Sequence, residues 1–529
     1  MKNILLVYPE MPDTFWAMRH FNQAAGKKST YPPLGLMTVS ALLPDQCEKK
    51  LVDLNVDSLK DADIDWADFV FLSAMNVQVE SVNAIVQRCK KRNAKIVAGG
   101  PLFTHEYERF PDIDYFILNE AEITLPLFLK DLERGEAYVH RIYRTSDFSD
   151  MTETPLPDYS LINVNDYLYA IVQYSRGCPY LCDFCDVTAL FGRKPRVKSP
   201  QMVIAELETI LAQSTNTIVL FADDNLIGNK RHLKLELLPA LIDWRRKNQH
   251  ALFFATQLTI NLADDDELMQ LLLEAGFRHI FIGIETPEAE GLLATKKKQN
   301  LKRSILENIK KLHGAGFIIS GGFIVGLDSD TPDIFDIQEQ FIQESGIPLP
   351  IVNILKAPPG TELFDRIEKE GRLLKDFTFS EGDTNVRIKM GDQALYAGFY
   401  KLVSNLYTPE AAYRRILQFF KDYHPPKLEQ PIPAKPTVAM LLQALMIILK
   451  VGYWYRERRY FWKLIFWTML NKPKLMDQAI FYAVMIRQMH QSYRNMQPHL
   501  LEKMAQADAL PVVDQIRRKI SLEGQEFRG

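Results

Sequence analysis

Short apolar runs separated by amphipathic stretches recur along most of this chain, and that alternation leaves few architectures open. Ile4-Leu-Leu-Val-Tyr8, Leu34 to Leu43, Lys50 to Leu54, Phe69 to Leu72, Lys95 to Ala98 and Tyr115 to Leu118 follow one another, with helical patterns at Val79 to Lys91 and Ile123 to Leu132. Short strands buried on both faces imply a parallel sheet flanked by helices. Residues 1–140 are therefore expected to form an open α/β domain, doubly wound and Rossmann-like, with its ligand crevice at the carboxyl ends of the strands. The loops at that edge are Ser73-Ala-Met-Asn76, Gly99-Gly-Pro101 and Asn119-Glu120. Glycines there let the backbone approach a large flat ligand or a phosphate, and simple tight turns explain them equally well.

Residues 141–165 carry prolines and no sustained period, as in Met151-Thr-Glu-Thr-Pro155-Leu-Pro157, and read as a linker. The β/α rhythm resumes over residues 166–360. Strands are expected at Tyr169 to Tyr174, Thr217 to Phe221, Leu252 to Ala255, His279 to Ile282, Phe317 to Val325 and Ile351 to Leu355, giving about six β/α units. Helices such as Ser199 to Leu211 and Leu301 to His313 lie between them. Residues 361–529 depart from the alternation and read as mainly helical, for example at Gln393 to Tyr407 and Pro409 to Tyr423.

Three of the five cysteines fall within eight residues, as Cys178-Pro-Tyr-Leu-Cys182-Asp-Phe-Cys185, just after the first of these strands and the turn Ser175-Arg-Gly177. Three thiolates so close can hold three irons of a four-iron cluster and leave the fourth without a protein ligand. An open iron can chelate the amino and carboxylate groups of a small molecule and pass it an electron. The other readings are a zinc knuckle, which needs a fourth ligand although no His lies within or immediately beside the group, and three buried structural cysteines. Cys47 and Cys89 are isolated beside apolar runs and read as core residues. Few cysteines, no signal peptide at Met1-Lys-Asn-Ile-Leu and an oxidant-sensitive centre together suggest a cytoplasmic protein. Lys plus Arg number 63 against 66 acidic residues, so no net basicity argues for nucleic acid.

The C-x3-C-x2-C spacing resembles that of radical S-adenosylmethionine (radical SAM) enzymes. A Rossmann-like domain directly before it, with Tyr31-Pro-Pro-Leu-Gly-Leu36 and Gly99-Gly-Pro101, resembles the cobalamin-binding group of that family. The helical tail is similar to the extension of one branch, which includes hopanoid 2-methyltransferases. The resemblance implies a partial (β/α)6 barrel and a [4Fe-4S] cluster on Cys178, Cys182 and Cys185. It also implies SAM, cleaved to a 5′-deoxyadenosyl radical, and cobalamin as methyl carrier. Matching positions for SAM are Phe184, Asp223 and Asp224 with Asn225, Gln257, Glu285 and Gly322. Those for cobalamin are Ser73, Gly99, Gly100, Pro101, Asn119 and Glu120. Helix capping is the competing reading for the acids. The family's D-x-H-x-x-G is absent, the strand end reading Asp53-Leu-Asn55-Val-Asp57-Ser58, and many members of the group also lack that His.

The activity implied is methyl transfer to an unactivated carbon of a small or lipid-like substrate, with an external electron donor of the flavodoxin or ferredoxin type. The alternatives are a radical rearrangement or cyclisation without methyl transfer and a cobalamin- or SAM-sensing module. Phe15-Trp-Ala-Met-Arg-His20 followed by Tyr31-Pro-Pro differs from what a hopanoid enzyme itself implies. In the tail, Val438 to Leu449 is too short to span a bilayer and is either buried or interfacial. Tyr453 to Trp467 mixes aromatics with cations, as interfacial helices do, although packing against the barrel with cations outward fits too.

Overall fold

The structure is a computed structural model that describes residues 2–214, 218–248, 252–301, 304–374, 377, 379–426, 452, 453 and 458–507. The N-terminal part is a six-stranded parallel sheet of β1 (Asn3–Tyr8), β2 (Glu48–Asp53), β3 (Phe69–Ser73), β4 (Lys95–Gly99), β5 (Tyr115–Ile117) and β6 (Ile142–Tyr143), in the order β2-β1-β3-β4-β5-β6. The chain reverses direction across the sheet between β1 and β3, which opens a crevice at their carboxyl ends. Residues 5–7 and 69–72 are buried, as a sheet covered on both sides requires. The helix Val79–Lys91 supplies part of that cover through Val82, Ile85, Val86 and Cys89, which share one face. Leu34 to Leu42, an equally apolar run, forms a helix against β1 and β3. The sheet's last strand lies beyond residue 140, because Ile142 and Tyr143 pair with Phe116 and Ile117.

Two short strands, β8 (Ser175–Arg176) and β9 (Arg196–Val197), form an antiparallel clip after β7 (Ala170–Val172). The second large sheet contains β7, β10 (Ile218–Phe221), β11 (Phe253–Gln257), β12 (Phe277–Glu285), β13 (Ile318–Val325) and β14 (Leu349–Ile354). All its pairings are parallel, in sequence order, and the edge strands β7 and β14 do not pair with each other. This is a partial (β/α)6 barrel, open on one side. Along β12 the even residues Ile280, Ile282 and Ile284 are buried under the helices, leaving His279, Phe281, Gly283 and Glu285 on the opposite, inner face. Ser199 caps the helix Pro200–Gln213 by accepting from the Met202 amide, with proline at the first helical position. Ser304 caps Ile305–Ala315 in the same way, which starts that helix later than its apolar pattern suggests.

Helices Asp392–Leu406, Pro409–Asp422, Arg458–Asn471 and Met476–Gln506 make up most of the described C-terminal part. Met476–Gln506 reaches back to the N-terminal segment: Gln488 accepts from the Phe21 amide at 2.8 Å, and Phe481 meets Phe21 edge-on at 5.1 Å. Val438 to Leu449 lies outside the described residues, as do residues 454–457 of the aromatic and cationic stretch. No helix among the described residues is long and apolar enough to cross a membrane.

The two sheets are joined at their carboxyl ends. Glu120, just after β5, receives both terminal nitrogens of Arg196 at 2.5 and 2.8 Å and the Ser149 amide at 2.7 Å. Arg176 stands 3.9 Å away and pairs with Glu122 at 2.8 Å. Burial alone would raise the Glu120 pKa, but Arg196, Ser149 and Arg176 outweigh it and hold it below the ordinary value. On the other side of the join, Tyr167 donates to Asp53 at 2.9 Å and Tyr31 stacks on Tyr169 at 5.4 Å.

Replacing Arg196→Met should strand the Glu120 carboxylate and cost about 3–5 kcal/mol of stability at neutral pH, read from denaturant unfolding. Because the folded-state pKa of Glu120 is depressed, the contribution is present above its unfolded-state pKa and disappears as pH falls through the folded value. The loss on substitution should therefore shrink in acid.

Candidate active site

The first half of the site is a narrow slot at the carboxyl ends of β3, β4 and β5. Ser73, Gly99, Gly100 and Asn119 line it together with Leu36, Phe71, Val97, Ile117 and Leu125, around a cavity of about 50 Å³. Its glycines are required by close approach. A Cβ on Gly99 would lie 2.7 Å from the Ile117 carbonyl oxygen, and one on Gly100, at φ +90°, 2.7 Å from Ser73 Oγ. Asn119 also sits in the left-handed region, at φ +66°, and its buried Oδ1 has no hydrogen-bond partner. An apolar slot floored by glycines suits a flat heteroaromatic group, and the unanswered Asn119 carbonyl suits an amide or hydroxyl donor attached to it, so the residues present fit the tail of cobalamin. Pro101 starts the helix Pro101–Glu106 beside the slot rather than lining it. Glu120, matched above to cobalamin, has its carboxylate turned to Arg196 and Ser149 at the join.

Asn55, where the family's motif carries His, is a loop brace. Its Oδ1 accepts from the Met11 amide at 2.8 Å, and its Nδ2 donates to Asp53 at 2.7 Å and to the Pro9 carbonyl at 3.2 Å.

The second half is the cysteine loop at the end of β7. Gly177 holds the turn at φ +93°, where a Cβ would come within 2.9 Å of the Lys194 carbonyl oxygen, and the Cys178 amide donates to Gly192 at 3.2 Å. The three thiols are free, and burial raises the pKa of each. No three His, Cys, Asp or Glu side chains among the described residues are gathered for a single metal ion. In a cluster each thiolate takes a different iron, so three sulfurs held apart in one loop fit that group better than a zinc knuckle. Two amides reach the sulfurs: Asn225 Nδ2 lies 3.8 Å from Cys178 Sγ and Gln299 Nε2 lies 3.6 Å from Cys182 Sγ.

Asp223 and Asp224 diverge although they are neighbours. Asp223 is fully buried; its Oδ1 takes the amide and hydroxyl of Ser175 and its Oδ2 the Tyr174 amide at 3.2 Å. It braces the turn into the cysteine loop, with both carboxylate oxygens engaged by Tyr174 and Ser175. Asp224 is only half-buried, and its pKa is pushed up to about 7 by burial, with Asp223 and Asp186 adding repulsion. Glu285 ends β12 at φ +68° in an ion pair with buried Lys297, whose ammonium lies 5.9 Å over the Phe184 ring. Burial works against the Lys297 charge, but Glu285 and the thiols of Cys182 and Cys185 outweigh it and raise its pKa. Gly283 leaves the room, since a Cβ there would fall 2.4 Å from Glu285 Oε1 and 2.7 Å from Lys297 Nζ.

Gln257 is exposed at the end of β11. Gly322 lies mid-strand in β13, where a Cβ would stand 2.8 Å from the Phe281 ring. Over the same ring, at 5.2 Å, sits Trp16, in a segment pinned by the Phe15 amide to Glu381 at 2.7 Å. Sequence reasoning missed Lys297, Gln299, Arg196 and Trp16. Lys296-Lys-Lys298 reads as an exposed charge run, and only the fold buries its middle member.

Comparison with known proteins agrees with this geometry. Residues 25–129 match the B12 binding domain, 172–339 the radical SAM superfamily, and 361–500 a domain of unknown function, DUF4070. The chain belongs to the family of B12-binding radical SAM proteins. Within it, the chain is 36% identical to an uncharacterized methyltransferase of Synechocystis over 90% of its own length and 89% of that protein's. It is 34% identical to the hopanoid C-2 methylase of Rhodopseudomonas palustris over 88% of both chains. Two solved structures share the fold. OxsB with aqua-cobalamin and S-adenosylmethionine gives a TM-score of 0.59 at 14% identity, covering 99% of this chain and 81% of that one. TsrM of Kitasatospora setae, with cobalamin and a [4Fe-4S] cluster, gives 0.56 at 15% identity over 90% of this chain and 99% of that one. The cofactors of this family are a [4Fe-4S] cluster, SAM and cobalamin.

In ligand-free protein Asp224→Asn should stabilise at pH 8 by about 1–3 kcal/mol and change little at pH 4. The sign follows from the raised pKa: between its unfolded value near 3.8 and about 7 the folded state holds the extra proton, so stability falls as pH rises. Thermal unfolding across that range checks it.

Proposed function

We propose that this chain is a cobalamin-dependent radical SAM methyltransferase acting on an unactivated carbon of an apolar, lipid-like molecule. The observation that carries the reading is the placement of the glycine slot and the cysteine loop at two carboxyl edges that meet at the Glu120–Arg196 pair. Similarity over nine-tenths of the chain to a hopanoid C-2 methylase points to the same chemistry.

In this reading Cys178, Cys182 and Cys185 hold the [4Fe-4S] cluster, and Ser73, Gly99, Gly100 and Asn119 hold the cobalamin tail with Pro101 beside it. When bound, the cluster supplies the electron that cleaves SAM, and cobalamin supplies the methyl group. Asp224, beside Asp186, offers a negative recess to an ammonium such as that of SAM. Phe184, Gln257, Glu285 and Gly322 are the further SAM contacts, with Lys297 holding Glu285 in place. Asp223 and Glu120 act through the loops they brace. Asn55, with its amide occupied on both ends, offers cobalt no imidazole.

The inner face bears Phe281 under Trp16, which suits a substrate with little polarity. A reductant of the flavodoxin or ferredoxin type delivers the electron from outside. A lipid-like substrate brings with it a peripheral contact with membrane lipid.

Anaerobic reconstitution with iron, sulfide and hydroxocobalamin, followed by SAM, a reductant and a lipid extract, tests the reading. Methylated lipid should form with S-adenosylhomocysteine and 5′-deoxyadenosine together. 5′-Deoxyadenosine without S-adenosylhomocysteine would point to rearrangement. Replacing Cys178→Ala, Cys182→Ala and Cys185→Ala together should remove iron–sulfur absorption and SAM cleavage while leaving cobalamin bound.

A further inference from the structure

The helix Arg458–Asn471 is apolar on two faces, and among the described residues protein packs against only one. Phe461, Leu464 and Thr468 are buried on the side packed against Met476–Gln506 and Pro409–Asp422. On the other side Trp462, Phe466, Met469 and Leu470 are 39%, 52%, 50% and 79% exposed. Helical geometry puts these four on one stripe. Trp462 and Phe466 stack at 5.6 Å, and Trp462 Nε1 donates to the Gly452 carbonyl at 2.8 Å, which brings Tyr453, 69% exposed, alongside. A helix whose outer face meets only water normally carries charge there, and this one carries its bulkiest apolar groups.

The charge that the helix itself carries has one sign, and the acid packed against it, Glu410 of Pro409–Asp422, accepts from Tyr460 at 3.2 Å, away from the stripe's apolar groups. Arg458, Arg459, Lys463 and Lys474 are exposed in or just after the helix, and residues 458–474 contain no Asp or Glu. On the helical wheel Arg458 falls on one flank of the stripe and Lys463 on the other, while Arg459 stands in line with the stripe at its amino end. Aromatic and aliphatic side chains in the middle with cations at the rim match the two layers of a membrane surface, acyl chains below and anionic phosphates above. A second copy is a poorer occupant, because a two-fold contact would set like charges opposite one another with no acid from this segment to answer them.

We infer that the outer face of Arg458–Asn471 docks this protein on an anionic lipid bilayer. Trp462, Phe466, Met469 and Leu470 enter the headgroup and acyl boundary, and Arg458, Arg459, Lys463 and Lys474 meet lipid phosphates. The helix lies in the interface and does not span, in keeping with the absence of a membrane-crossing helix among the described residues. The inference stands on exposed side chains and holds whatever the substrate is.

Flotation of the full chain with vesicles of phosphatidylcholine, with or without one third phosphatidylglycerol and free of any substrate candidate, tests it. Binding to the anionic vesicles is expected, weaker by at least about tenfold on neutral vesicles or in high salt. Phe466→Ser with Leu470→Ser should lower partitioning at least about tenfold while leaving the melting temperature unchanged, since both side chains face outward. Arg459→Glu with Lys463→Glu should remove only the preference for anionic lipid. Three results would overturn the inference: no flotation, equal flotation of the Phe466/Leu470 double variant, or a concentration-dependent dimer that this variant dissolves.

Discussion

The architecture turns on a single buried carboxylate. Glu120 ends one parallel sheet, Arg196 and Arg176 belong to the clip that follows the first strand of the other, and their pairing brings two carboxyl edges together. Ligand crevices of parallel α/β sheets lie at those edges, so joining them brings the two crevices side by side. The pair is desolvated, which makes its geometry demanding: either charge left alone in that environment would be far costlier than both together. Tyr167 with Asp53, and Tyr31 with Tyr169, hold the same approach from the far side of the join.

Within that frame the loops are shaped before any ligand is present. Gly99, Gly100, Gly177 and Gly283 each occupy a place where a Cβ would meet a neighbouring atom at 2.9 Å or less. The left-handed backbone of Asn119 and Glu285 is sustained by side chains with only one place to go, a buried slot in one case and Lys297 in the other. Strain concentrated at such positions marks loops held for a purpose other than their own stability. The acids divide the same way: Asp223 is consumed by the turn it supports, and Asp224 beside it is half-buried in a repulsive setting.

Much of this was legible in the chain. Apolar runs at β1, β3, β10 and β13 announced buried parallel strands because a strand covered on both faces has no reason to alternate. Cys178, Cys182 and Cys185 announced a ligand loop because their spacing is local. The ion pair of Glu120 was not legible, since an acid at a strand end shows no partner until Arg196, 76 residues away, is placed beside it. Trp16 was invisible as a site residue because nothing near it in sequence says that it reaches Phe281.

Periodicity and local spacing by themselves determined the α/β alternation, the count of about six β/α units and the cysteine loop, since each depends on residues within a few positions of one another. Tertiary structure alone decided which strand-end acids pair with a cation, which member of Lys296-Lys-Lys298 is buried, and which apolar side chains of Arg458–Asn471 are packed by the described residues. Those choices rest on desolvation and long-range pairing, and neither exists until distant segments have come into contact.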